Sequence, residues 1–300
     1  MTGPLARILA RPRPVLLDGA VGTELARRGV PSGLPLWSAH AFLDSRWVCV
    51  LRGIHEDYAR AGAEILVTNT FRTTRRALER ADRGGDWRTF NEIAVACARD
   101  ATARAGGPCL VAGGIAPLED CYSPRLVPPD ADCLAEHARQ VELLARLGVD
   151  LILIETMNCA REARAALAAA RASGLDVLLS LCPEAPGRLL SGEPLQDVVP
   201  GLVEAGGDTL RGILLNCADP DTLQLVFPRF LALAPELPHG LYAHLGERDP
   251  VSGWRMPARH EPERYADWAV RRIEEGARLV GGCCGTTPDH IAALGRRIAG

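Results

Sequence analysis

The chain has 300 residues, a net charge of -3 and 47% hydrophobic residues, an ordinary globular profile without a basic face for nucleic acid. All 34 of its Lys and Arg positions are Arg, which excludes the lysine-dependent chemistry of Schiff-base aldolases, pyridoxal-phosphate enzymes and P-loop nucleotide hydrolases. No apolar run is long enough to span a bilayer, and residues 1–14 lack the apolar centre of a secretory signal. We therefore expect a cytoplasmic protein that acts on a small molecule, with no nucleic-acid or membrane partner.

Short apolar runs alternate with longer amphipathic segments along the whole chain, a rhythm typical of repeated strand and helix units. The pattern predicts strands at 15–20, 64–70, 109–115, 151–157, 176–182, 211–217, 240–246 and 278–284. It predicts helices near 48–61, 86–105, 130–147, 160–172, 194–206, 219–234, 260–276 and 288–299. Several of the strands are apolar throughout, as strands buried on both faces of a parallel sheet are.

Eight strand and helix units predict the α/β class and a (β/α)8 TIM barrel in a single domain. We expect residues 1–14 to be an N-terminal extension and residues 15–300 to form the barrel. An open, doubly wound sheet is the alternative fold, since one miscounted strand would change the architecture. No feature of the sequence indicates an oligomeric state.

Polar residues stand at the carboxyl ends of these strands, which is where the active site of a TIM barrel lies. An apolar strand that ends in a carboxylate or a thiol carries a desolvation cost, unless that group binds a ligand or is hydrogen-bonded within the protein. A structural role explains any one such residue, so it is their convergence that predicts a site. The candidates in chain order are Asp18, Gly19, Thr68, Glu155, Asn216, Cys217, His244, Cys283 and Cys284.

Three of these candidates are thiols, Cys217 on the sixth strand and Cys283 and Cys284 on the eighth. Both strands neighbour the seventh in a closed barrel, so the thiols can meet over its mouth. Three sulfur ligands with one open position are typical of a catalytic zinc ion. Adjacent cysteines on a regular strand point to opposite faces, so the backbone must leave strand geometry here, and the flanking glycines permit that.

Other interpretations of the cysteines and glycines stay open at this point. Gly281 and Gly282 match the phosphate-binding corner that many barrels carry near strands seven and eight, with the cysteine pair merely buried. A redox disulfide is a further alternative, although a reducing compartment disfavours it. We expect most of the remaining cysteines to be small buried hydrophobes, including Cys49, Cys97 and Cys133 in predicted helices.

Seven strings occur in order between about residue 15 and residue 295: LLDGAVGTEL, ILVTNTF, GGIAPLED, LILIETM, LLSGEPLQD, LLNC and GGCCGTTPDHI. In this order and spacing they resemble the homocysteine S-methyltransferase family, and GGCCG with an upstream NC is the most specific part. The resemblance implies that Cys217, Cys283 and Cys284 are zinc thiolates. It further implies that Asp18 and Glu155 hold the ammonium group of the amino acid, while amides near Gly19 and the hydroxyl of Thr68 bind its carboxylate end. Asn216, beside the first cysteine, is a further candidate for substrate contact.

The activity implied by the resemblance is zinc-dependent transfer of a methyl group to the thiol of homocysteine, giving methionine. Without a cobalamin or folate module after the barrel, we expect a small onium donor: S-methylmethionine, S-adenosylmethionine or a betaine-like compound. Two alternatives remain, a barrel that methylates another thiol or a selenol, and a zinc-binding or thiol-redox protein without turnover.

The sequence departs from the family pattern at two positions near the predicted metal. Leu214 replaces the usual glycine three residues before the first cysteine, and His244 stands in the seventh strand where the family usually has asparagine. Imidazole is a good zinc ligand. We expect His244 to close the fourth zinc position, to contact substrate or donor without touching the metal, or to hydrogen-bond a neighbouring loop.

Overall fold

A computed structural model describes residues 3–249, 253–255 and 261–299. Within these ranges eight parallel strands form a barrel; in chain order they are β1 Val15–Leu16, β2 Ile65–Val67, β3 Leu110–Ile115, β4 Leu151–Met157, β5 Asp176–Leu181, β6 Leu210–Asn216, β7 His239–Tyr242 and β8 Leu279–Val280. Hydrogen-bonded neighbours follow the order β1, β8, β7, β6, β5, β4, β3, β2. An isolated parallel bridge between Leu17 and Ile65 joins the two ends. The predicted single-domain (β/α)8 barrel is confirmed.

Helices surround the barrel, and none in the described ranges is both long and apolar enough to cross a membrane. The α-helices are Pro4–Leu9, Val21–Arg27, Ser45–Arg60, Arg75–Glu79, Trp87–Ala105, Asp130–Arg146, Ala160–Ala172, Leu195–Gly206, Pro220–Leu231, Pro262–Glu274 and Pro288–Ala299. Short 3-10 turns lie at Trp37–Phe42, Gly84–Asp86, Pro124–Leu126 and Gly207–Thr209. Two antiparallel hairpins pair Pro183–Glu184 with Arg188–Leu189 and Glu247–Asp249 with Gly253–Arg255.

The apolar strands are explained by two hydrophobic cores, one on each face of the sheet. In β4, Leu151 and Leu153 belong to the core inside the barrel, whereas Ile152 and Ile154 belong to the core between strands and helices. Because successive side chains point to opposite faces, a strand that borders both cores must be apolar at every position.

Several strands end earlier than their predicted bounds. β1 ends at Leu16 rather than at residue 20, β7 at Tyr242 rather than at residue 246, and β8 at Val280 rather than at residue 284. The residues beyond these ends direct their backbone groups into loops; the amide of Cys283, for example, donates to the carbonyl of Ala243. The candidate site residues therefore lie on loops just above the sheet, where the backbone is free to aim them.

The opposite, amino-terminal end of the barrel is closed by the helix Pro4–Leu9, which was not predicted. Leu5 is fully buried in the core inside the barrel. Two ion pairs hold the following segment to the barrel, because Arg11 and Arg13 approach the same Glu64 carboxylate oxygen at 2.6 and 2.9 Å. The division of the chain at residue 15 stays a prediction, but residues 4–9 pack into the barrel core.

Replacing Leu5 with alanine is expected to destabilise the protein by about 2–5 kcal/mol, because it leaves a cavity in a fully buried position. Urea unfolding followed by far-UV circular dichroism measures the change. Leu225→Ala is the matched control, since Leu225 is 66% exposed, and it should leave the midpoint nearly unchanged. Equal midpoints for the two variants would show that the N-terminal helix does not contribute to the barrel core.

Candidate active site at the carboxyl end of the barrel

A cavity of about 670 Å³ opens at the carboxyl ends of the strands, within the range of about 300–1,000 Å³ that is usual for small-molecule sites. Residues at or just beyond the strand ends form its floor, among them Asp18, Thr68, Glu155, Cys217, Cys283 and Cys284. Side chains from the longer loops form an outer wall, among them Leu34, Trp37, Phe71, Arg72, Arg80 and Tyr122. The floor is thus acidic and rich in thiols, whereas the outer wall is aromatic and carries two arginines.

Thiols from different strands meet at this floor. The Sγ atoms of Cys217, at the end of β6, and Cys283, after β8, are 3.7 Å apart, and Cys284 lines the same cavity. The hydroxyl of Tyr122 lies 3.0 Å from the Cys217 Sγ. In the described residues, no three His, Cys, Asp or Glu side chains are arranged as a complete metal site. All ten cysteines of the chain are free thiols.

Cys217 is the thiol of this cluster that ionises most readily. Hydrogen bonds with the thiols of Cys182, Cys283 and Cys284 lower the pKa of Cys217 well below the ordinary value of a thiol. The same contacts raise the pKa values of those three partners. A thiolate is the form of cysteine that binds metals and acts as a nucleophile, so this cluster is prepared for one of these roles.

The backbone at the cysteine pair has left strand geometry, as the sequence predicted. Cys283 lies in irregular backbone and Cys284 in a turn, and Gly285 has the left-handed φ of 90° that favours glycine. Gly282 is needed for space, because a Cβ there would collide with the side chain of Thr286. Thr286 in turn donates its amide to the carbonyl of Cys283 at 3.1 Å, which fixes the turn.

A fully buried Asn216 ties three strand ends together below the thiols. Its Oδ1 accepts hydrogen bonds from the amide of Thr156 (3.1 Å) and from the hydroxyl of Ser180 (2.7 Å). Its Nδ2 donates to the Thr156 hydroxyl at 2.8 Å. Thr156 and Cys217 both have left-handed φ values, 62° and 56°, a strain of about 1–3 kcal/mol each that persists only where neighbours enforce it. Asn216 is the neighbour that enforces the conformation of Thr156.

Glu155 is presented to the cavity by an irregularity in β4. The pairing of β4 with β5 shifts register between Ile154 and Met157, and such bulges commonly re-aim side chains beside active sites. Within the described residues the Glu155 carboxylate has no hydrogen-bond donor or cationic partner. Burial, with the nearby Asp18 and Cys217, raises the pKa of Glu155 to about 8. The buried carboxyl group therefore lacks the cation that would stabilise its charged form.

Asp18 lies on the same cavity floor, and one of its carboxylate oxygens is hydrogen-bonded to the backbone of the protein. Its Oδ2 accepts the amide of Val67 at 2.9 Å, and burial raises the pKa of its carboxyl group well above the ordinary value. The adjoining Gly19 must be glycine, because a Cβ would lie 2.7 Å from the ring of Tyr58. The Oγ1 of Thr68 accepts from the amide of Gly114 at 3.1 Å. These contacts hold β1, β2 and β3 in register below the cavity.

Asn216 and His244, two of the predicted substrate contacts, are not among the described residues that line the cavity. The side-chain amide of Asn216 lies beneath the cavity and is hydrogen-bonded to Thr156 and Ser180. The Nδ1 of His244 lies 2.9 Å from the carbonyl of Gly246. The contact of His244 with metal, substrate or donor stays a prediction. Leu214, the second departure, fills the core inside the barrel.

The sequence interpretation missed two residues that the structure brings to the thiols. Cys182 ends the predicted fifth strand, yet strand five was given no candidate; a thiol at a strand end was the available signal. Tyr122 lies in the loop after β3, where the sequence offers no periodicity to indicate a contact. The expectation of burial was right for Cys97 and Cys133 and wrong for Cys49, which is exposed on the outer face of its helix.

Comparison with known proteins identifies the family of this barrel. The family model for homocysteine S-methyltransferase matches residues 15–298. The chain belongs to the homocysteine S-methyltransferase family. It is 32% identical to the homocysteine S-methyltransferase of Escherichia coli over 98% of both chains. The protein is thus a methyltransferase, from a family that transfers methyl groups to homocysteine.

Three further similar proteins extend the comparison. The betaine–homocysteine S-methyltransferase 1 of Bos taurus is 27% identical over 95% of this chain and 72% of its own. The selenocysteine methyltransferase of Astragalus bisulcatus is 26% identical over 94% of this chain and 91% of its own. The solved homocysteine methyltransferase MmuM of Escherichia coli, in its metallated form, superposes with a TM-score of 0.84 at 29% identity, covering 98% of this chain and all of that one. A metal is therefore part of at least one relative that shares this barrel.

The raised pKa of Glu155 predicts that its replacement stabilises the empty site. The folded protein holds a proton on Glu155 up to about pH 8, whereas the unfolded chain releases it near pH 4.3, so ionisation increasingly penalises the fold between these values. Glu155→Gln should therefore raise the melting temperature of metal-free, substrate-free protein at pH 9 and have little effect at pH 4. The exposed Glu204→Gln should show no such pH dependence. A loss of stability for Glu155→Gln at pH 9 would contradict the burial argument.

Proposed function

We propose that this protein transfers a methyl group from a small onium donor to the thiol of homocysteine, giving methionine, with zinc as its metal. The observation that carries the proposal is the partnerless Glu155 carboxylate on the same cavity floor as the thiolate of Cys217. A metal store or a redox protein has no need of a buried carboxylate beside its thiols. A thiol substrate that also carries an ammonium group uses both.

The donor set fits zinc through Cys217, Cys283 and Cys284. Two sulfur ligands about 2.3 Å from a tetrahedral ion lie about 3.8 Å apart, and the Cys217 and Cys283 sulfurs are separated by 3.7 Å. Soft thiolate ligands favour zinc over magnesium or calcium. When bound, zinc supplies acidification of an incoming thiol, which is otherwise mostly protonated at neutral pH. Three protein ligands leave one position for that thiol.

The charges on the cavity floor fit the amino-acid end of homocysteine. The Glu155 carboxylate lacks a counterion within the described residues, and the Asp18 carboxylate accepts the Val67 amide at 2.9 Å but has no cationic partner there. An ammonium group placed between these carboxylates removes the penalty that raises both pKa values. Backbone amides near Gly19, with the hydroxyl of Thr68, are proposed to receive the substrate carboxylate.

The reaction then needs orientation more than further acid–base groups. Glu155 and Asp18 hold the ammonium group, so that the substrate sulfur is directed at the thiol cluster. The thiol releases its proton to solvent, and its sulfur attacks the methyl carbon of the donor. A carbon–sulfur bond forms as the bond between that methyl and the onium atom breaks, and the electron pair leaves with the neutral donor product. The aromatic outer wall, with Trp37 and Phe71, excludes water and stabilises the donor cation over its ring faces.

Replacing Cys217, Cys283 or Cys284 singly with alanine is expected to abolish stoichiometric zinc binding and homocysteine methylation, because each removes one of three charged ligands. Metal content by inductively coupled plasma mass spectrometry and methionine formation are the two readouts. Cys49→Ala is the matched control, since Cys49 is exposed and does not line the cavity. Full zinc content in any one of the three variants would exclude that residue as a ligand.

Glu155→Gln is expected to lower kcat/KM for homocysteine. The corresponding loss of transition-state stabilisation is about 2–4 kcal/mol, the usual cost of losing a desolvated charge partner. Zinc content should stay at the level of the native protein, which separates this role from metal binding. Assays with S-methylmethionine, S-adenosylmethionine and betaine identify the donor at the same time. An unchanged kcat/KM would mean that the carboxylate serves the fold and not the substrate.

A further inference from the structure

Arg72 stands on the outer wall of the cavity, in the loop that follows β2. Its guanidinium carbon lies 5.6 Å from the centre of the Phe71 ring. The Nε of Arg72 is buried and has no hydrogen-bond partner, and within the described residues no carboxylate pairs with this side chain. A buried guanidinium donor without an acceptor destabilises the protein unless a ligand satisfies it.

The arginines that follow Arg72 in the chain, unlike Arg72, are paired with carboxylates. Arg80 lines the same cavity, and its guanidinium lies 2.5 Å from the Glu119 carboxylate. Arg76 lies 2.5 Å from Glu136. The positive charges on the helix Arg75–Glu79 and just beyond it are thus neutralised within the protein. The charge of Arg72, by contrast, is not neutralised by any carboxylate among the described residues.

The segment that carries Arg72 is held rigidly on both sides. On one side, the Phe71 ring packs edge-on against Trp37 with 5.8 Å between centroids. On the other, the Thr73 hydroxyl donates to Asn91 Oδ1 at 2.8 Å, and Asn91 Nδ2 returns a hydrogen bond to the Thr73 carbonyl at 3.0 Å. A guanidinium presented in this way is preorganised, which lowers the entropic cost of binding a planar anion.

We infer that Arg72 binds the carboxylate of the methyl donor and so selects donors that are amino or carboxylic acids. The inference rests on the function proposed above. A carboxylate matches the paired donors of a guanidinium, and the reaction brings two carboxylates to the cavity. That of homocysteine is assigned to the floor, beside Gly19 and Thr68. Arg72 belongs to the outer wall, on the donor side, with the aromatic rings that receive the onium group.

The test compares donors that differ only in the carboxylate. S-methylmethionine is assayed beside (3-aminopropyl)dimethylsulfonium, and S-adenosylmethionine beside its decarboxylated form, each with saturating homocysteine. For whichever pair supports turnover, Arg72→Gln should lower kcat/KM of the carboxylate donor about 10- to 100-fold, mainly through KM. The decarboxylated donor should react equally well with both proteins. Arg72→Lys should recover part of the loss, because it restores the charge but not the paired donors.

Arg75→Gln is the matched control, because it removes an equal charge nearby from a residue that is 55% exposed and outside the cavity; it should leave donor preference unchanged. If Arg72→Gln keeps the native preference for the carboxylate donor, the inference is wrong while the proposed function stands. A rise in the KM of homocysteine with both donors would place Arg72 on the acceptor and also overturn it. If no donor supports turnover by the native protein, the proposed function fails and this inference fails with it.

Discussion

The side-chain amide of Asn216 is the interaction on which the candidate site depends. It joins the ends of β4, β5 and β6 through Thr156 and Ser180, and Cys217 follows it directly in the chain. Glu155 directly precedes Thr156 in the chain and Cys217 directly follows Asn216, so one amide helps to position both the buried carboxyl group and the thiol cluster. Its full burial leaves no water to replace a lost partner, so the arrangement is kept or lost as a unit.

The electrostatics of the floor follow from this enforced closeness. Carboxylates and thiols share a poorly hydrated cavity, and the pKa values of Asp18 and Glu155 rise as a result. Such a floor is unfavourable while empty and becomes favourable when cations occupy it. A loss of stability at such positions in exchange for function is a common relation at functional sites.

The sequence predicted the barrel because each parallel strand contains an apolar run that can be recognised locally. The run is apolar because the strand borders a hydrophobic core on each face. It also predicted the thiols that meet, since the carboxyl ends of such strands lie at one edge. It did not predict the bulge at Glu155, the hydrogen bonds of Asn216 beneath the cavity, or the absence of a carboxylate partner for Arg72 among the described residues. These depend on strand register and on loops that pack across long separations in the chain, which local periodicity does not encode. The helix Pro4–Leu9 was missed because six residues are too few for a clear period.

The closure of the barrel has a consequence for how the protein is made. β1 pairs with β8, with Val15 opposite Leu279, so the first strand has no partner on that side until Leu279 has emerged from the ribosome. Cys283 and Cys284 lie in the same late segment. A growing chain therefore has an unpaired sheet edge and an incomplete set of thiols until residues 279–284 have been made, and this one segment completes both the barrel and the candidate site.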